Sequence, residues 1–330
     1  MHLQPVAAGL FGVTAAALLL TLGNLGVSAQ TADPGEAKRA ELGRELFYAP
    51  ILSSDGQVSC ATCHQQDKAF TDGRATSLGA FGRTGQRSAP SLVNVAARTR
   101  LFWHGGSPSL ELQALGPLAD PNEHDFRPEE TVQTLEDSPY YAGRFREVFG
   151  AAPSLSGLTQ ALAAFERTIV SYDAPFDRYS AGDADAMGAA AVRGMDLFYG
   201  QAECFHCHTG RNFSDNRAHN NGFLLFNPDI GVAQLTDAEE DVGKFITPTL
   251  RNVGLTAPYM HAGQIGTLEE VIDHYDGGGQ PNPNADGLIR PLGLSDRDRA
   301  DLLAFLHALT DESISTNPAW GPPPAHKETK

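Results

Sequence analysis

All four cysteines of this chain fall in two short strings, Cys60-Ala-Thr-Cys63-His64 and Cys204-Phe-His-Cys207-His208. Two thiols separated by two residues and followed at once by a histidine form the attachment pattern of c-type haem. The thiols add to the haem vinyl groups as thioethers, and the histidine binds the iron from the proximal side. A zinc site or a redox dithiol is the competing reading, but neither needs a His directly after the second Cys, and here it occurs twice. No cysteine is left for a disulfide, so apolar cores and two covalently bound haem c groups must hold the fold. The pattern implies a diheme redox protein.

The rest of the chain repeats with the strings. Gly43-Arg-Glu-Leu46-Phe47-Tyr48 precedes the first and Gly194-Met-Asp-Leu197-Phe198-Tyr199 the second. Downstream, Pro90-Ser-Leu-Val-Asn94-Val95 is echoed by Pro248-Thr-Leu-Arg-Asn252-Val253, and Trp103-His104-Gly-Gly106 by Met260-His261-Ala-Gly263. Each half closes on an apolar stripe of helical period: Leu158, Leu162, Phe165 and Ile169 in one, Leu302, Leu303, Leu306 and Leu309 in the other. Ser295 and Asp296 offer the last helix an N-cap. Alternating strand patterns are few, and Gly/Pro/Asn-rich stretches such as Asp276 to Gly293 suit loops around a haem edge. The expected fold is mainly α, with two tandem cytochrome c-like domains, long loops and one covalent haem in each.

The expected boundaries are a signal peptide at 1–29, an N-terminal domain at 30–175, a C-terminal domain at 176–315 and a disordered tail at 316–330. Val6 to Leu22 is almost wholly apolar or small, and Val27-Ser28-Ala29 offers a small-x-small cleavage site. An uncleaved membrane anchor is the rival reading, since the n-region is weakly basic. Either reading places the folded part outside the cytoplasm, in the periplasm. The formal net charge of −16 arises after residue 29, because the preceding segment has no Asp, Glu, Lys or Arg. Such a surface argues against nucleic acid and suits a basic protein partner, such as a small electron-donor cytochrome; a merely solubilising surface is the alternative.

Together these motifs resemble the bacterial diheme cytochrome c peroxidases and the related methylamine-utilisation protein MauG. The resemblance runs from Glu41 to Leu309 and includes Leu101-Phe-Trp-His-Gly-Gly, Leu112-Gln-Ala-Leu-Gly-Pro117, Asp120-Pro-Asn-Glu123 and Thr256-Ala-Pro-Tyr-Met-His261. It implies that peroxide reacts at the N-terminal haem, held by His64, while the C-terminal haem, held by His208, relays electrons. Glu123 and Gln113 match the distal pair at the first haem. A carboxylate there can take a proton from one peroxide oxygen and return it to the other, with the amide orienting the substrate. Trp103 matches the indole between the two haems. Thr256 and Pro258 match positions whose backbone carbonyls bind calcium, a suitable hard cation for oxygen donors. Ser88 stands where an Asn side chain usually joins them.

Two departures bear on mechanism. Typical diheme peroxidases cap the first haem with a distal His, and here that position in Thr76-Ser77-Leu78-Gly79-Ala80 is alanine. The first haem is therefore expected to be open without reductive activation. The second haem's sixth ligand is typically a methionine 14 residues after the Pro-Tyr-x-His histidine, and counting from His261 to residue 275 gives Tyr275. MauG has tyrosine there, and a phenolate stabilises oxidised iron where a thioether raises the potential. His274 is the rival ligand. MauG also carries a Trp before its second haem string, whereas this chain reads Gly200-Gln201-Ala202-Glu203. His104 replaces an acidic residue common in the family and is read as a hydrogen-bonded loop histidine; His219 and His307 are read as surface or core residues.

The resulting expectation is an enzyme that reduces hydrogen peroxide to water with electrons from a small redox protein, a c-type cytochrome or a cupredoxin. A MauG-like oxidation of side chains on a partner protein is one alternative. A non-catalytic diheme electron carrier is the other, and it requires both irons to be capped by protein.

Overall fold

The computed structural model describes residues 34–223, 229–280 and 282–324. The expected signal peptide lies outside the described residues. Among those described, no helix is long and apolar enough to cross a membrane.

Two crossed helix pairs organise the chain. Pro34–Phe47 packs on Leu155–Glu166, and Ala189–Tyr199 packs on Asp296–His307. The repeated glycine ahead of each haem string makes these crossings close. A Cβ at Gly43 would lie 1.8 Å from the Ala161 carbonyl oxygen, and one at Gly194 would lie 1.9 Å from that of Asp301. The repeated phenylalanine then meets an aromatic partner across each crossing, Phe47 with Phe165 at 5.1 Å and Phe198 with Phe305 at 5.2 Å. The sequence echo is thus a steric requirement fulfilled twice, one core forming around each pair.

The closing helices begin on serine caps. Ser154 accepts from the amide of Gly157, and Ser295 from that of Asp298, whose carboxylate returns the bond in a capping box. Strand structure is confined to a short antiparallel pair, Ala218–His219 with Phe245–Ile246. The tandem, largely helical architecture is as expected.

The halves meet at Ser171. Asn94 and Asn252 occupy equivalent places in the repeat and both take left-handed backbone conformations, with φ of 53° and 59°. Asn94 brackets the Ser171 backbone, donating to its carbonyl and accepting from its amide at 2.9 Å each, while Asn252 donates to the Ser171 hydroxyl at 2.9 Å.

The tail departs from expectation. Residues 316–324 are docked rather than disordered. Trp320 is buried and donates its indole N–H to the Thr168 carbonyl at 2.9 Å. Arg44 gathers the carbonyls of Pro318, Gly321 and Pro322, and Tyr48 donates to that of Trp320. A buried indole and four captured carbonyls outweigh the Pro-rich composition that suggested disorder. Residues 325–330 lie outside the described part.

Candidate functional site

Each haem string forms a single helical turn, closed by the histidine amide donating to the first cysteine carbonyl at 2.9 Å in both copies. The turn brings the two thiols together ahead of the imidazole. Nδ1 of His64 donates to the Phe70 carbonyl at 2.9 Å, and Nδ1 of His208 to the Phe213 carbonyl at 3.0 Å. A carbonyl only accepts, so Nδ1 carries the proton and Nε2 keeps its lone pair for a metal. Burial also lowers both imidazole pKa values, holding them neutral as iron ligands must be. Burial pushes the Cys204 thiol up to about 12 and the Cys63 thiol up to about 11, and raises Cys60 as well, so these sulfurs sit in the desolvated setting that a covalently held, largely apolar macrocycle needs. The donor set therefore fits two covalent haems.

Around the first string, Glu123 is the carboxylate the motifs single out. Burial, then the charge of Asp120, lifts its carboxyl to about 7, and its charge reaches the sulfurs of Cys60 and Cys63. Its backbone is fixed by the neighbouring loop, since the amide of Ala80 donates to the Glu123 carbonyl at 2.7 Å. Ala80 is fully buried and presents only a methyl group. Gln113 ends the short Leu110–Gln113 helix, which packs against Leu155–Glu166. The last residue of that longer helix, Glu166, is 6% exposed, and its Oε2 is buried without a hydrogen-bond partner among the described residues. Burial raises the Glu166 carboxyl to about 8, and of the charges acting on the Cys60 thiol it is the foremost. Sequence reading missed Glu166; the available signal was a carboxylate adjoining the apolar stripe that ends at Phe165.

The second string opens onto a cavity that draws on both halves of the chain. Cys204, Cys207, His208 and Tyr275 line it, together with Ser88, Trp103, Thr256 and Pro258. Tyr275 sits on the Leu268–Asp276 helix, whose start is a Thr267–Glu270 capping box. Burial lifts its phenol to about 12, against the pull of Asn221, whose amide donates to the hydroxyl at 3.3 Å. The same Asn221 amide lies 3.2 Å from the Met260 sulfur. His274 is engaged elsewhere: its Nε2 bonds to the Asn221 carbonyl at 3.0 Å and it is absent from the cavity lining.

Trp103 is held by both halves, its indole N–H donating to the Ser88 carbonyl at 2.9 Å and its own carbonyl accepting from Ile246 at 2.8 Å. The Ser88 hydroxyl lies 3.2 Å from the Met260 carbonyl and 3.3 Å from that of His261, so its proton is already directed to protein oxygens. His104 accepts at Nδ1 from Arg87, which also clamps Asp229 at 2.7 Å. His219, read from sequence as structural, lines the second cavity between Asp215 at 2.8 Å and Asp286 at 2.6 Å. The i,i+4 spacing of Asp215 and His219 was its only signal. His307 lies at the end of the last helix, away from the cavity lining.

Comparison with known proteins agrees with this geometry. The profile of the di-haem cytochrome c peroxidase family matches residues 37–185, and that of cytochrome c matches residues 191–310. The methylamine utilization protein MauG of Methylorubrum extorquens is 40% identical over 286 residues, spanning 85% of this chain and 80% of that one. The cytochrome-c peroxidase IdrP1 of Denitromonas iodatirespirans is 36% identical over 316 residues, spanning 84% and 83%. Among solved structures, a MauG-like protein associated with microbial copper homeostasis superposes with a TM-score of 0.81 at 37% identity, covering 87% of this chain and 93% of that one.

Proposed function

Because the chain belongs to the di-haem cytochrome c peroxidase family, which includes the MauG proteins, we propose that it reduces hydrogen peroxide to water in the periplasm with electrons from a small redox protein. The observation that carries this reading is the pairing of a half-buried Glu123 carboxyl, raised by desolvation, beside the first haem string with a buried Ala80 that offers the iron no ligand.

Haem, when bound, supplies the iron that activates peroxide and the centre that receives electrons. The protein supplies the proton handling. Reduction of peroxide by two electrons consumes two protons and yields two waters. Glu123, with its carboxyl near 7, takes the proton from the inner peroxide oxygen and returns it to the leaving one. Gln113 orients the substrate by hydrogen bonding. His64 and His208 would hold the two irons through Nε2, left available by their Nδ1 bonds, and Trp103, anchored from both halves, would couple the two sites. Tyr275 would help hold the iron at the second site, favoured over His274 by its place in the cavity lining.

Calcium is proposed at the carbonyls of Thr256 and Pro258, which share a wall with Ser88. The Ser88 hydroxyl donates its proton toward the Met260 and His261 carbonyls and keeps its oxygen lone pairs for a cation, and as a neutral, shorter donor than the usual Asn it would leave water to complete the shell.

Steady-state turnover of the fully oxidised protein with peroxide and a reduced small c-type cytochrome tests the proposal. Turnover without a lag is expected; a lag removed only by prior reduction would contradict the open first site.

A second reading, MauG-like oxidation of a partner protein, is favoured by Tyr275 and by an aromatic run at the second string. Tyr199 is 46% exposed and lies 5.2 Å from Phe198 and 6.2 Å from Phe205, which belongs to the string itself. That run offers an exit for an oxidising equivalent where MauG has its Trp. Slow turnover with cytochrome donors, together with peroxide-dependent modification of a partner, would select it. The electron-carrier reading requires a protein cap at the first iron, which Ala80 does not provide.

A further inference from the structure

The second cavity is closed on one side by residues of the first half, among them Ser91 and Arg98. Arg98 follows the turn Val95–Ala97, and its amide is tied to the Val95 carbonyl at 3.0 Å. Its guanidinium has no carboxylate and no side-chain hydrogen bond among the described residues; desolvation alone acts on it, bringing it down to about 10. Other arginines nearby are satisfied. Arg290, which also lines the cavity, pairs with Glu203 at 2.7 Å, and Arg87 pairs with Asp229 at 2.7 Å. A guanidinium stays charged at any physiological pH, and Arg98 stands half-buried in the cavity wall with its charge drawn part-way out of water and no counterion among the described residues, which is unfavourable. A ligand that fills the cavity can supply the anion, and the anionic groups a haem brings are its carboxylates.

We propose that Arg98 binds a haem propionate at the seam between the two halves. The inference rests on the diheme reading above and assigns a residue that the peroxide chemistry does not use. The planar fork suits a carboxylate in bidentate fashion, which a lysine cannot reproduce. A fixed cation beside a propionate favours the ferrous state of that haem, so removing it favours the ferric state. Both haems lie within the question, because Arg98 is carried by the first half and faces the cavity of the second.

The test is an equilibrium redox titration of the diheme protein, with each iron followed separately by visible absorbance and EPR. Haem content is measured first: a chain carrying no covalent haem would overturn the diheme reading itself, and the Arg98 assignment with it. With both haems present, Arg98→Gln is expected to raise the ferric-to-ferrous ratio of one haem roughly tenfold at fixed potential, about 59 mV for a one-electron couple. Arg98→Lys should recover part of that shift. Movement at the second iron assigns the propionate to the second haem, and movement at the first iron assigns it to the first. Two unmoved potentials in Arg98→Gln would overturn the proposal. Should Arg98→Gln fail to load haem, resonance Raman of Arg98→Lys decides: a shifted propionate bending band supports the contact, and an unchanged band overturns it.

Discussion

The amide of Ala80 donates to the carbonyl of Glu123 at 2.7 Å, so the loop that in typical relatives would carry a capping histidine is here latched to the segment bearing the carboxylate proposed to move the proton. The latch is tight, because a Cβ at Gly79 would lie 2.0 Å from the Asn122 carbonyl oxygen. One arrangement therefore serves two ends: it fixes Glu123 and presents only a methyl group from residue 80.

In the proposed mechanism Glu123 is a base in its ionised form, and its carboxyl is raised to about 7. The rate of the peroxide reaction should rise with pH through about 7 and level off above it. Glu123→Gln should lower that rate by roughly 10²–10⁴-fold and flatten the profile. Stopped-flow mixing of the oxidised protein with peroxide across pH 5–9 checks both.

On the proposed ligation Tyr275 sets the character of the second site. Tyr275→Met should raise the second haem's potential, since a thioether favours reduced iron where a phenolate favours oxidised iron. Tyr275→Phe removes the proposed ligand and should add a second high-spin ferric signal. Redox titration and EPR of the two variants separate Tyr275 from His274, because a His274 ligand would leave both observables unchanged.

Glu166 carries a pH-dependent cost. Its pKa is about 8 in the folded protein against 4.5 when unperturbed, so the folded state binds more protons between those values and stability falls as pH rises across them. A tenfold difference in proton affinity between the folded and unfolded states corresponds to about 1.4 kcal/mol. Glu166→Gln stays neutral and should gain on the parent from pH 5 to pH 9, by a few kcal/mol at the upper end. Denaturant midpoints of both proteins over that range give the comparison; a constant difference would show that Glu166 does not titrate late.

The helix crossings make a steric prediction. Gly43→Ala and Gly194→Ala each push a methyl group into a backbone carbonyl, and each should destabilise by about 1–3 kcal/mol or more. Alanine at the exposed Gly143, where a Cβ meets nothing within 4 Å, is the control and should be neutral or mildly stabilising.

Much of this was legible in the sequence because it is local or repeated. The haem strings, the Gly-x-x-Leu-Phe-Tyr echo and the Ser295 cap depend on neighbours within a turn or two. What was not legible depends on distant partners. Trp320 is buried only because Thr168 and Tyr48 receive the tail. Glu166 became significant through its nearness to Cys60, and His219 through Asp286, 67 positions away. Arg98 looks ordinary until the carboxylates of the cavity it lines, Glu203 and Asp286, are seen to be paired with Arg290 and His219 instead.

The central claim is that the first haem is open in the resting protein, and an EPR spectrum of the fully oxidised protein, before any reductant or peroxide, tests it most directly. One high-spin and one low-spin ferric signal are expected, from the His64 and His208 sites respectively. Two low-spin signals would contradict the account, since they would require a protein ligand at the first iron that Ala80 does not supply.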